Sequence, residues 1–90
     1  MSHLVTQKPK LLARVRRLRG QLDAVERALE ADIGCADVLM LVASMRGAIN
    51  GLTAELMEEH LREHVLSAPD DAARATGVAE LGEVIRTYLK

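Results

Sequence analysis

The sequence predicts an all-α protein built as a three-helix protomer whose long helices also pack on a second copy of the chain. Three observations carry this. Apolar residues recur at alternating intervals of four and three over two long stretches. No segment alternates with the period of a strand. The 90 residues are 49% hydrophobic, yet Tyr88 is the single aromatic, so Leu, Val, Ile, Ala and Met fill the interior. A chain this small makes one domain, residues 1–90, and buries a modest share of its surface alone. Some of its apolar surface is therefore expected to meet other chains.

The first helix is expected over about residues 6–31. Leu11, Val15, Leu18, Leu22, Val25 and Leu29 form its seam. Thr6 is a fair N-cap, and Pro9 is tolerated in the first turn. Asp32-Ile33-Gly34 breaks the pattern, with Gly34 supplying the turn. A second seam, Val38, Val42, Met45, Ile49, Leu52 and Leu56, places helix 2 over about 35–66. Pro69 ends it within Ser67-Ala68-Pro69-Asp70-Asp71. Residues 72–77 read ambiguously, because an Ala-rich stretch runs into Thr76-Gly77. Helix 3 is expected over about 78–89, on Val78, Leu81, Val84, Ile85, Tyr88 and Leu89.

Charge is unevenly placed. Residues 1–22 carry Lys8, Lys10, Arg14, Arg16, Arg17 and Arg19 and no acid, while the remaining 68 residues hold six basic and thirteen acidic side chains. Lys10, Arg14 and Arg17 fall on one stripe of helix 1, and Lys8, Arg16 and Arg19 flank it. A solvated helix face usually mixes its charges. This one points to phosphate contact with double-stranded DNA. No helix-turn-helix or zinc finger is present.

Helix 2 carries Ala43, Gly47 and Gly51 on one face. Glycine inside a helix costs roughly 1 kcal/mol relative to alanine, so two of them suggest close approach by a neighbouring backbone. That neighbour is either helix 1 of the same chain or a second copy of helix 2.

His60 and His64, four residues apart, share a helix face and can chelate one transition metal. Solvated polar surface beside Glu59 and Glu63 is the ordinary alternative. Cys35, the only thiol, starts helix 2, where the helix dipole favours a negatively charged sulfur. A buried structural cysteine is its ordinary alternative. Cys35 and His60 lie about 37 Å apart along one continuous helix, so one chain cannot bring them to a single ion. Two copies of helix 2 packed antiparallel, crossing near Gly47 and Ala48, would place Cys35 of each chain beside His60 and His64 of the other. His3, next to an amine on Ser2 if Met1 is removed, is a possible further ligand. A thiolate with several imidazoles suits Ni²⁺, Co²⁺ or Zn²⁺ better than Mg²⁺ or Ca²⁺. No organic cofactor and no catalytic set is indicated, so an enzyme is not expected. A single free thiol and the lack of any apolar run near 20 residues suggest a reducing, cytoplasmic location with no membrane contact.

The stretches Arg14-Val-Arg-Arg-Leu-Arg-Gly-Gln-Leu22 and Arg46-Gly-Ala-Ile-Asn-Gly-Leu52, with Cys35 before the second and His60 and His64 after it, resemble the CsoR/RcnR/FrmR family of small repressors. The likeness covers essentially the whole chain. It implies a dimer built on helices 1 and 2 and a disc-like dimer of dimers, a homotetramer. It also implies that effector-free protein binds operator DNA and that effector binding releases it. Copper sensors of the family carry a Cys-His-Cys set, and here His64 stands where the second Cys would be. The nickel/cobalt branch carries an N-terminal His, then Cys, His and His, which His3, Cys35, His60 and His64 match in order. Formaldehyde sensors use the same Cys with Pro at the second position, where this chain has Ser2. Yet Gly20-Gln-Leu-Asp-Ala-Val-Glu-Arg-Ala-Leu-Glu30 is similar to formaldehyde-type members. The resemblance implies a Ni²⁺- or Co²⁺-responsive repressor, with a formaldehyde-responsive repressor of a detoxification operon, sensing through Cys35, as the alternative.

Overall fold

A computed structural model describes residues 7–90, all three helices among them. They are α1, Lys8–Glu30; α2, Cys35–His60, continued by a π-helical stretch, Leu61–Leu66; and α3, Asp71–Tyr88. No strand occurs among the described residues. The chain divides into two compact units, Thr6–Thr53 and, among the described residues, Ala54–Lys90.

In the first unit, α1 starts at Lys8 rather than near residue 6. Gln7 occupies the N-cap without a side-chain hydrogen bond, and proline sits in the opening turn, where an amide proton would lack a partner anyway. The expected cap, Thr6, lies outside the described residues.

The turn after α1 differs from expectation. Asp32, not Gly34, takes the left-handed conformation, with φ 54°, and no glycine has positive φ. The Asp32 amide donates to Leu29 O at 3.2 Å and the Ile33 amide to Ala28 O at 3.2 Å. Those two bonds close the helix end and satisfy carbonyls the helix leaves open. Aspartate tolerates this backbone better than most residues with a Cβ. Gly34 instead opens α2, its carbonyl accepting from the Asp37 and Val38 amides at 3.0 and 3.2 Å.

In the second unit, Asp70 caps α3, its side chain accepting from the Ala73 amide at 2.8 Å. Helix 3 therefore begins at Asp71, not near 78, and the ambiguous segment 72–77 is its first turn and a half. Gly77 lies buried inside α3 rather than at a break. The π register is visible where the Ser67 amide donates to Arg62 O, five residues back, at 2.9 Å. Arg74 of α3 ties this end down: Nε donates to Val65 O at 3.0 Å and Nη2 to Ala68 O at 3.4 Å, while Nη1 pairs with Asp71 at 2.7 Å.

Burial within one chain is shallow. Leu11 and Ala28 are the buried apolar residues among those described, and no described side chain is fully buried. Seam residues Leu22 and Leu29 stay 57% and 60% exposed. Leu22, Val25, Val42, Met45 and Ile49 line an open apolar cleft of about 320 Å³ in the first unit. Seams of this spacing are completed by further helices. The stretch Cys35–Leu66 is also long and apolar enough to cross a membrane, by length and composition alone. The sequence reading missed this because Arg46 and Glu55 interrupt strict apolarity. A helix that packs on other helices has the same composition.

Candidate functional site

The second unit brings two of the expected ligands together. His60 is the last residue of α2, and His64 sits inside the π-helical stretch. Their ring centroids are 4.8 Å apart and the planes are tilted by 35°. That separation lets both rings turn toward one ion at the roughly 2.0–2.1 Å of a metal–imidazole bond. Both rings are half-buried.

Helix α3 holds this pair. His60 Nε2 lies 2.8 Å from Gly77 O, an acceptor, so Nε2 donates there and Nδ1 is the nitrogen that would ligate a metal. Glu80 Oε1 is 3.8 Å from the same nitrogen. A ligating histidine commonly directs its second nitrogen at a carbonyl or carboxylate in this way. Glu59, beside His60 in sequence, is buried and accepts from Arg62 Nη1 at 2.6 Å. It is not the solvated neighbour its charge suggested.

Cys35 is the first residue of α2, exposed and free of any disulfide. It belongs to the first unit, whereas His60 and His64 belong to the second. Among the described residues no group of three potential ligands forms within one chain. The donor chemistry, two neighbouring imidazoles and a separate thiol, suits a borderline transition metal but makes an incomplete set in a single protomer. His3 lies outside the described residues.

The basic stripe is in the first unit. Lys10, Arg14 and Arg17 line one open cleft of about 470 Å³, together with Gln21, Ser44 and Ala48. Lys8, Arg16, Arg17 and Arg19 are exposed and Arg14 is half-buried. Gln21 Nε2 donates to Ser44 Oγ at 3.3 Å, joining α1 to α2 at the cleft. The sequence reading missed Gln21 and Ser44. For Gln21 a signal existed: it continues the Lys10, Arg14, Arg17 stripe by one more helical step. Ser44 had none, because only the α1–α2 register brings it there.

Of the small residues on α2, a Cβ at Gly47 would meet nothing within 4 Å, and one at Gly51 would meet the Arg14 guanidinium at 2.9 Å. Ala43 and Gly47 are exposed. Close packing on helix 1 of the same chain therefore does not explain Gly47.

The described residues thus form three helices with exposed seams, a basic cleft in one unit and a histidine pair in the other. Residues 7–87 match the family model for the metal-sensitive transcriptional repressor. The chain belongs to that family, whose members are repressors and not enzymes. It is 47% identical to an uncharacterized protein encoded in the bioA 5' region of Serratia marcescens, over the full length of both. It is 38% identical to the transcriptional repressor RcnR of Salmonella paratyphi B, again over the full length of both. A solved structure of a glutamate-to-histidine variant of the formaldehyde-responsive regulator FrmR, from Salmonella enterica serovar Typhimurium, superposes with a TM-score of 0.88 at 43% identity. That match covers 97% of this chain and 99% of the other.

Proposed function

We propose that this protein is a cytoplasmic, Ni²⁺- or Co²⁺-responsive repressor that binds operator DNA when metal-free and leaves it when metal binds. The observation that carries the reading is the His60–His64 pair, 4.8 Å between rings, in a member of a metal-sensitive family. Cys35 of a second chain completes the site in an antiparallel dimer of α2 helices, with Ala43, Gly47 and Gly51 at the crossing. His3 of the N-terminal arm is a further ligand. The exposed seams and the open face at Ala43 and Gly47 support association into a dimer and a homotetramer. One thiolate among several imidazoles favours Ni²⁺ or Co²⁺ over Cu⁺, which prefers more sulfur, and Zn²⁺ fits the donors less selectively.

Lys8, Lys10, Arg14, Arg16, Arg17 and Arg19 contact DNA phosphates, with Gln21 and Ser44 at the floor of the same cleft. Contacts of this kind release counterions and make affinity steeply salt-dependent. Metal coordination biases a two-state assembly away from its DNA-binding shape, each tenfold loss of affinity requiring about 1.4 kcal/mol of differential binding.

A second reading is favoured by the 43% identity to a formaldehyde-responsive regulator and by the exposure of Cys35. In it the Cys35 thiol adds across the carbonyl of formaldehyde to give an S-hydroxymethyl group, with no atom lost. The two readings separate in a Co²⁺ titration followed by absorption. A metal sensor develops thiolate-to-cobalt charge transfer, lost in Cys35→Ala and His60→Ala. A formaldehyde sensor shows none and keeps its response in His64→Ala.

A further inference from the structure

We infer that Gly77 is a positioning residue for the proposed effector site, one backbone position that bears on both histidines. The inference rests on the proposed role of His60 and His64 as ligands. Glycine inside a helix weakens it, and two reasons usually account for one that is buried there. A left-handed backbone is the first, and no glycine in this chain has positive φ. Close approach of another backbone is the second, and it applies. A Cβ on Gly77 would overlap the His64 carbonyl oxygen and lie 3.0 Å from His64 Cβ. The missing side chain therefore lets α3 press directly on the π-helical stretch at His64. The carbonyl of the same residue accepts from His60 Nε2 at 2.8 Å.

Gly77 thus touches the main chain of one ligand position and the ring of the other. Arg74, one turn earlier, anchors α3 to the Val65 and Ala68 carbonyls just past His64. Glu80, one turn later, lies 3.8 Å from His60 Nε2. Moving α3 outward by the width of a methyl group removes the His60 hydrogen bond and the support at His64 together. Gly82, in the same helix, provides the contrast: a Cβ there meets only Arg86 Nη1, at an ordinary 3.6 Å.

The test compares Gly77→Ala and Gly82→Ala in the full-length protein, with CoCl₂ as the probe. Both substitutions favour helix, and only the first intrudes on His64. Gly77→Ala is expected to bind Co²⁺ about 10- to 100-fold more weakly than wild type, the usual loss when a ligand's supporting contact goes. Gly82→Ala is expected to match wild type. Imidazole ¹⁵N NMR of the metal-free wild type supplies the second measurement, valid even where Gly77→Ala fails to fold. It is expected to show His60 protonated at Nε2, and in Gly77→Ala a mixture of tautomers. Wild-type Co²⁺ affinity in a folded Gly77→Ala, or a wild-type His60 protonated at Nδ1, overturns the inference. A wild-type protein that binds no Co²⁺ overturns the ligand reading itself and the inference with it.

Discussion

The Nε2 nitrogen of His60 lies 2.8 Å from the carbonyl oxygen of Gly77, joining the end of α2 to the middle of α3. That bond ties the proposed effector pair to the helix that packs on the π-helical stretch. An effector bound at His60, as proposed, would therefore be felt by α3 directly, and the stability of this unit depends on the contacts that dock α3.

Arg74 supplies two of those contacts, to the Val65 and Ala68 carbonyls. Its guanidinium serves two carbonyls and one carboxylate. Arg74→Ala should lower unfolding stability by about 1.5–3 kcal/mol, the range for hydrogen bonds to a charged group. Asp70→Ala, which removes the α3 cap, should cost about 1 kcal/mol. Urea denaturation at fixed protein concentration measures both.

The left-handed turn at Asp32 makes a sharper demand on residue type. Asp32→Val should destabilise by about 1–2 kcal/mol, because a β-branched side chain resists positive φ. Asp32→Gly should cost nothing, and Gly34→Ala, where φ is not positive and the nearest atom to a new Cβ is Asp37 Oδ2 at 3.6 Å, should be tolerated. Thermal unfolding of the three variants gives the ranking.

Gly47 tests association. A side chain at this position meets nothing in its own chain within 4 Å of its Cβ. Gly47→Leu should therefore leave helical content intact while shifting the sedimentation profile toward a smaller species. Wild-type sedimentation for Gly47→Leu would remove the proposed α2–α2 crossing.

The basic cleft yields a quantitative salt test. Arg17→Ala should weaken binding to operator and to random duplex alike, and should reduce the slope of log K against log salt by about 1. Fluorescence anisotropy across a salt series reads that slope. Gln21→Ala should weaken binding with a slope near that of wild type, since an uncharged side chain releases no counterion.

Much of the fold was legible in the seams. Leu11 to Leu29 and Val38 to Leu56 marked α1 and α2 because heptad spacing is a local property of the chain. The start of α3 was not legible. Asp70 and Asp71 read as the terminator of helix 2, although a cap ending in aspartate belongs to the helix that follows it. Gly77 left residues 72–77 ambiguous because its reason for being glycine, the approach of α3 to His64, is tertiary and leaves no local mark. Gly34 drew attention away from Asp32 for the opposite reason, since glycine is the usual left-handed residue and here is not the one used. The His60–His64 pair was legible from its spacing. The hold of Gly77 and Glu80 on His60, and the place of Ser44 in the basic cleft, depend on how helices meet and were not.

In the proposed function, a transition metal held by histidines and by a cysteine from another chain removes this repressor from DNA. Release from a labelled operator duplex, titrated in parallel with Ni²⁺, Co²⁺, Zn²⁺, Cu⁺ and formaldehyde, tests it most directly. Ni²⁺ or Co²⁺ is expected to release the protein at the lowest concentrations, an effect abolished by Cys35→Ala and by His60→Ala. Release by formaldehyde, with the protein still on DNA at saturating Ni²⁺ and Co²⁺, would contradict it.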